Sequence, residues 1–147
     1  MSEWKPKQET RDGQEIHFSV GAIIEAGGKM LLIERDTPPE GWAGVAGHID
    51  VGEDPLTALK REVLEEVSLV VSEATLLRDE FVPWNWCDAG VTGHHWYLYH
   101  VEVHNFDHMK PQGGEVKALN WYTREELTEL PLEEVWRYWF EQTNFLT

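Results

Sequence analysis

Residues 47–69 constrain this chain more than any other part of it. They read Gly-His-Ile-Asp-Val-Gly-Glu-Asp-Pro-Leu-Thr-Ala-Leu-Lys-Arg-Glu-Val-Leu-Glu-Glu-Val-Ser-Leu, a glycine-bearing turn that runs into an acid-rich helix. Asp54 followed by Pro55 is a strong helix start, with the carboxylate as N-cap and proline at the first helical position. At about 100° per residue, Leu56, Leu59, Val63 and Val67 fall on one apolar stripe, while Glu62, Glu65 and Glu66 gather on another face. Like charges spaced i, i+3 and i+4 repel by ~0.2–0.5 kcal/mol per pair. A run of acids on a helix is ordinarily a solvated face. Here the helix opens out of a loop containing Gly44, Gly47 and Gly52, where backbone can approach a ligand closely. Arg61 stands beside the acids, able to grip a carboxylate bidentately. A hard divalent cation bound through oxygen would turn the repulsion into binding energy.

These residues resemble the Nudix box: glycine, five residues, glutamate, seven residues, then Arg-Glu-apolar-any-Glu-Glu-any-Gly-apolar. Gly47, Glu53, Arg61, Glu62, Val63, Glu65, Glu66 and Leu69 occupy those positions. Ser68 stands where the pattern has its last glycine. Glycine there would suit a left-handed residue closing the helix, so serine costs about 1 kcal/mol or alters the cap, without removing a ligand. Upstream, Val45-Ala46-Gly47 replaces the Pro-Gly-Gly of many members.

The resemblance implies an α/β Nudix fold, a mixed β-sheet sandwiched between α-helices. It also implies a reaction: water cleaves a pyrophosphate bond in a nucleoside diphosphate linked to another group, with Mg2+ as the metal and Mn2+ as its substitute. Position by position, it makes Glu62, Glu65 and Glu66 core metal ligands and the carbonyl of Gly47 a further one. Glu53 becomes a ligand or a supporting carboxylate, and Arg61 the residue that orients the glutamates; a guanidinium has no lone pair with which to hold a metal. Two general bases stay open, Glu62 in the box and Glu115. The latter follows Gly113-Gly114 and precedes Trp121 by six residues, similar to the loop glutamate of some triphosphate-cleaving members. A (deoxy)nucleoside triphosphate is the leading substrate. ADP-ribose, a nucleotide sugar or a dinucleoside polyphosphate is the near alternative, and a non-catalytic nucleotide-sensing domain the distant one.

Outside the box, substrate contacts are expected from the loop tryptophans Trp84 and Trp86, which could stack a base, and from Arg35, which could meet a phosphate. Trp96, Phe81 and Tyr97 sit in strand-like segments, where aromatics more often fill a core. The formal net charge of −15 speaks against nucleic acid as a partner and leaves small phosphorylated substrates open, since bound metal ions can invert the local field. No run of about 18 apolar residues suggests a membrane span. Cys87 is the only cysteine, so no internal disulfide forms and cytoplasm is the expected location. It reads as an ordinary unpaired thiol. His100, His104 and His108 have helical spacing and His94-His95 lies nearby, but their segment alternates like a strand and no cysteine pair supports zinc; no zinc site is expected.

At 147 residues the chain reads as one domain, residues 1–147, with 1–14 a polar, flexible arm. Residues 16–26 and 29–35 form a hairpin around Gly27-Gly28. Residues 36–53 are the loop before the acidic helix, and 83–93 a tryptophan-rich loop. Further strands lie in 70–82, 95–103 and 116–122, and Thr123-Arg-Glu-Glu126 opens a short helix as a capping box. The last helix begins near Pro131 with Leu132, Val135, Trp136, Trp139 and Phe140 on one face. Homodimers are common among relatives, and an exposed tryptophan face on that helix would be one interface.

Overall fold

A computed structural model of the chain describes residues 5–35, 40–87, 90–104 and 116–146. The elements run β1 (Gln8–Arg11), β2 (Gln14–Ala26), β3 (Lys29–Arg35), β4 (Gly41–Ala43), β5 (Val45–His48), α1 (Pro55–Val67), β6 (Val70–Val82), β7 (Gly93–His104), β8 (Val116–Thr123), α2 (Arg124–Leu127) and α3 (Glu134–Gln142). The sheet has the order β4-β3-β2-β7-β6, with β1 and β5 also paired to β2 and β8 to β3. β2 and β7 run parallel, whereas the other described pairings are antiparallel. The sheet is therefore mixed.

Period-two alternation sorts the core into two layers. Ile16, Phe18, Val20, Ala22 and Ile24 of β2, with Leu31, Ile33, Tyr99 and Val101, pack under Leu59, Val63 and Val67 of α1. Ile23, Met30, Leu32, Trp96 and Leu98 face the other way, onto Trp136, Trp139 and Phe140 of α3. β2 is covered on both faces, which is why its sequence is almost continuously apolar. This is the expected sandwich. The apolar stripe of α1 differs in one place: Ala58 is buried and Leu56, in the first turn, is exposed.

Three expectations change. Trp136 and Trp139 are 1% and 0% exposed, so α3 uses its tryptophans on its own sheet and offers no such face to a second copy. Residues 8–11 are not ragged. Asp12 (φ 50) and Gly13 (φ 80) take the left-handed pair of a two-residue hairpin turn, as Gly27 (φ 58) and Gly28 (φ 78) do between β2 and β3, and so add β1 to the sheet. Within the segment expected as loop, β5 pairs with β2, setting Val45 opposite Ala22 and His48 opposite Ser19. That pairing aims the start of the box at α1.

Candidate active site

α1 begins as its sequence demands. Asp54 caps it, accepting from the Thr57 N–H at 2.8 Å, with Pro55 in the first turn. It ends at Ser68, which is left-handed (φ 61, ψ 31) and donates its N–H to the Leu64 carbonyl at 3.1 Å. Serine thus takes the backbone conformation that the box pattern reserves for glycine.

Between these ends Arg61 is a hub. Its Nε donates to Glu53 Oε2 at 2.8 Å, and one terminal nitrogen donates to Glu53 Oε1 and to the His48 carbonyl, each at 2.9 Å. The other terminal nitrogen reaches Glu62 Oε1 at 2.7 Å and Glu65 Oε2 at 3.2 Å. Glu53 is held from behind, since its Oε1 accepts the Asp50 N–H at 3.0 Å. The guanidinium fork holds the Glu53 carboxyl below its ordinary range, and the surrounding carboxylates push Arg61 itself upward. Asp50, which sequence reasoning missed, joins the network 3.4 Å from Arg61. Burial raises its pKa, with Arg61 opposing.

Glu62 is the most perturbed acid of the box. Burial pushes it up to about 7 against the pull of Arg61, with the Glu65 carboxylate adding repulsion. It lies directly against the backbone of Gly47, where a Cβ would overlap its carboxyl group. Glu65 stays largely in solvent, its side chain 59% exposed. Glu62, Glu65, Glu66 and the Gly47 backbone thus surround one corner where oxygen donors are packed and a single guanidinium opposes them. That donor set suits a hard divalent cation.

The other expected site residues that are described belong to other elements. Arg35, at the end of β3, faces the buried Glu133 at 3.6 Å. Together with Lys117 it lines a cleft of about 390 Å³ with Glu34, Glu40, Gly41, Pro131 and Leu132. Trp84 and Trp86 are 41% and 45% exposed, as expected of loop aromatics, with Trp84 edge-on to Tyr138. Trp96 is a core residue whose Nε1 donates to Asn85 Oδ1 at 2.8 Å. Glu115 and His108 lie outside the described residues. His100 is bound to Glu25 at 2.9 Å.

Of the histidines weighed in the sequence only His94 enters a cluster of possible metal ligands among the described residues. His17, His48 and His94 meet Cys87 in one cluster, which is taken up below. Burial drives His48 down to about 3 and His94 to about 4, so both are neutral imidazoles. No described helix is long and apolar enough to cross a membrane.

Comparison with known proteins agrees with this geometry. The NUDIX domain pattern matches residues 15–142. Phosphatase NudJ of Escherichia coli K12 is 23% identical over 114 residues, 77% of this chain and 72% of that protein. Among solved structures, a MutT NUDIX hydrolase from Burkholderia pseudomallei is 29% identical with a TM-score of 0.65, covering 86% of this chain and 97% of that one. The NUDIX domain of Shewanella oneidensis NrtR, crystallised with ADP ribose, superposes with a TM-score of 0.69 at 21% identity, covering 86% and 85%. With the pattern spanning most of its length, and the box folded into an acid cluster around Arg61, this chain belongs to the Nudix hydrolase family, pyrophosphohydrolases that act on phosphorus-containing anhydrides.

Proposed function

We propose that the chain is a Mg2+-dependent pyrophosphohydrolase of small nucleotides, with (deoxy)nucleoside triphosphates as its first substrate class and Mn2+ as a substitute metal. The observation that carries this reading is the box geometry: Glu53, Glu62 and Glu65 converge on one guanidinium, with Glu62 against a side-chain-free Gly47. Glu62, Glu65, Glu66 and the Gly47 carbonyl would hold the ion. When bound it polarises phosphate oxygens and offsets the charge that develops as water attacks phosphorus.

The chain's own residues do the rest. Arg61 fixes the rotamers of Glu53 and Glu62 by a forked contact that lysine could not reproduce. Two candidates stand for the base: Glu62, whose carboxylate sits 2.7 Å from the Arg61 guanidinium, and Glu115, which lies outside the described residues. Arg35 and Lys117 line one cleft together with Glu34 and Glu40 and are our candidates for a phosphate tail, and the exposed Trp84 and Trp86 suit a base.

Relatives with this fold are described variously as an Ap4A hydrolase, a UDP-X diphosphatase and a domain bound to ADP ribose, so the fold alone does not choose among nucleotides. The preference for triphosphates is tested by a panel. The protein is incubated with Mg2+ and each of a triphosphate, ADP-ribose, a nucleotide sugar and a dinucleoside polyphosphate, and pyrophosphate and phosphate release are measured. Fastest turnover of a triphosphate, with pyrophosphate as product, is expected. Nucleotide binding without turnover of any of them would make this a sensing domain. Glu65→Gln lowers the rate by about a hundredfold with little change in stability, since that side chain is mostly solvated. A near wild-type rate sinks the ligand assignment.

A further inference from the structure

His48 faces two ways. Its carbonyl takes a hydrogen bond from Arg61 at 2.9 Å, while its imidazole joins a second cluster outside the acid site. In the parallel β2–β7 register His17 lies opposite His94. His48 pairs with Ser19, two residues along β2 and so on the same face of the sheet as His17. The loop after β6 brings in Cys87. The ligand atoms of these four residues all lie within 4.8 Å of one another. His17 and His94 are each 3% exposed, an unusual depth for polar rings.

The spacing has the size of a coordination shell. His48 Nε2 and His94 Nε2 are 3.3 Å apart, and Cys87 Sγ is 3.8 Å from His17 Nδ1. A tetrahedral zinc site, with Zn–N near 2.0–2.1 Å and Zn–S near 2.3 Å, places its ligands ~3.3 Å apart for two nitrogens and ~3.6 Å apart for nitrogen and sulfur. The remote ring nitrogens agree. His94 Nδ1 is 2.7 Å from the Asn85 carbonyl, which can only accept, so Nδ1 carries the proton and the Nε2 lone pair faces the cluster. His17 Nε2 is 3.4 Å from Gln8 Oε1, and the Gln8 amide is itself oriented by donating its NH2 to Glu15 at 2.9 Å. His17 Nδ1 is thereby turned toward Cys87. Backing of this kind is what orients metal-binding imidazoles.

We propose that His17, His48, Cys87 and His94 form a tetrahedral site for a zinc-class divalent ion. Four protein ligands fill the tetrahedron and leave no open position for water, so its role is structural. It ties β2, β5, β7 and the β6–β7 loop together behind the box, and through His48 it steadies the carbonyl that Arg61 grips. In the metal-free protein His48 Nε2–H donates to His94 Nε2. On binding, that proton passes to His48 Nδ1 and the Cys87 thiol releases its own to solvent, one proton per ion.

The test uses the full chain, loaded with Zn2+ or Co2+ and dialysed against metal-free buffer. One ion per chain is expected by elemental analysis, and the Co2+ form should show intense tetrahedral ligand-field bands with a thiolate charge-transfer band. Free Zn2+ at a hundredfold excess over its Kd should raise Tm by roughly 5–10 °C. His94→Ala should lose the ion. Cys87→Ser should lose the charge-transfer band and roughly tenfold or more in affinity; this residue is in a loop, so the test survives if His94→Ala does not fold. Glu65→Gln should keep the ion. A wild-type chain that retains none overturns the site, as does an ion indifferent to both cluster substitutions or one lost on Glu65→Gln.

Discussion

In a Gly47→Ala variant the added methyl would overlap Cδ and both oxygens of Glu62, inside the 3.0 Å that real Cβ atoms respect. Gly47 lies in β5 and outside the positive-φ glycines, so the backbone itself accepts alanine. Ordinary contact begins at 3.4 Å, so the carboxylate must retreat by on the order of 1 Å. What stands in the way is the tip of a flexible side chain. The fold absorbs the change by turning Glu62 away, at the loss of its 2.7 Å bond from Arg61. A charged hydrogen bond of that kind is worth about 1.5–3 kcal/mol. At roughly 2–4 °C per kcal/mol for a chain of this size, Tm falls by less than about 12 °C.

The effect on the reaction is larger. A displacement of about 1 Å in a positioned group costs on the order of a hundredfold in rate, or about 2.7 kcal/mol of barrier. The assay pairs kcat over a Mg2+ titration with calorimetric Tm. The expected signature is a hundredfold lower kcat and a higher half-maximal Mg2+ concentration in a protein that remains folded. Native kcat and native Mg2+ dependence would refute the placement of Glu62 as a ligand against Gly47. An unfolded variant would refute the claim that the glycine serves the site rather than the core.

Other perturbations separate further roles. Ser68→Gly, at φ 61, should stabilise the chain by about 1 kcal/mol, seen as a Tm higher by roughly 2–4 °C at unchanged kcat; no gain would mean that serine's own contacts offset the strain. Burial pushes Glu133 from 4.5 up to about 7, with Arg35 opposing. Because the folded pKa is the higher one, its contribution is fully present below pH 4.5 and is lost as pH rises through about 7, at most about 3 kcal/mol. Urea midpoints at pH 5 and pH 8 should therefore differ less in Glu133→Gln than in the wild type, and an equal difference rejects the assignment. Trp84→Ala with Trp86→Ala should raise KM roughly tenfold at constant kcat if these rings stack a base; a change in kcat alone would point elsewhere.

The acid cluster was legible in the sequence because it is local. Asp54, Pro55, Glu62, Glu65 and Glu66 lie on one helix and its cap, where spacing alone decides which side chains share a face. The hairpin at Gly27-Gly28 was legible for the same reason, and the Asp12-Gly13 turn carried an equally local signal that was passed over. β4 and β5 were not. They are a few residues long, contain glycine, and exist because β3 and β2 offer them an edge. The role of Trp136 depended on a partner as well. Its ring packs over Gly21 and Gly44, so an apolar helix face that in isolation suits a dimer is here occupied by the chain's own sheet.

The His17–His48–Cys87–His94 cluster is the extreme of that non-locality. Its members come from two strands in parallel register, a third in antiparallel register and a loop, so no spacing in the chain announces them. The two clusters also differ in chemistry, and the difference keeps them from competing. Carboxylates around Arg61 favour a hard ion that exchanges with substrate; three neutral imidazoles and a thiolate favour a softer one that stays. His48 belongs to both, by its backbone to the first and by its ring to the second. A shift at this one residue would move the Arg61 guanidinium and, with it, Glu53 and Glu62. The box therefore depends for its geometry on a part of the sheet that its own pattern does not mention.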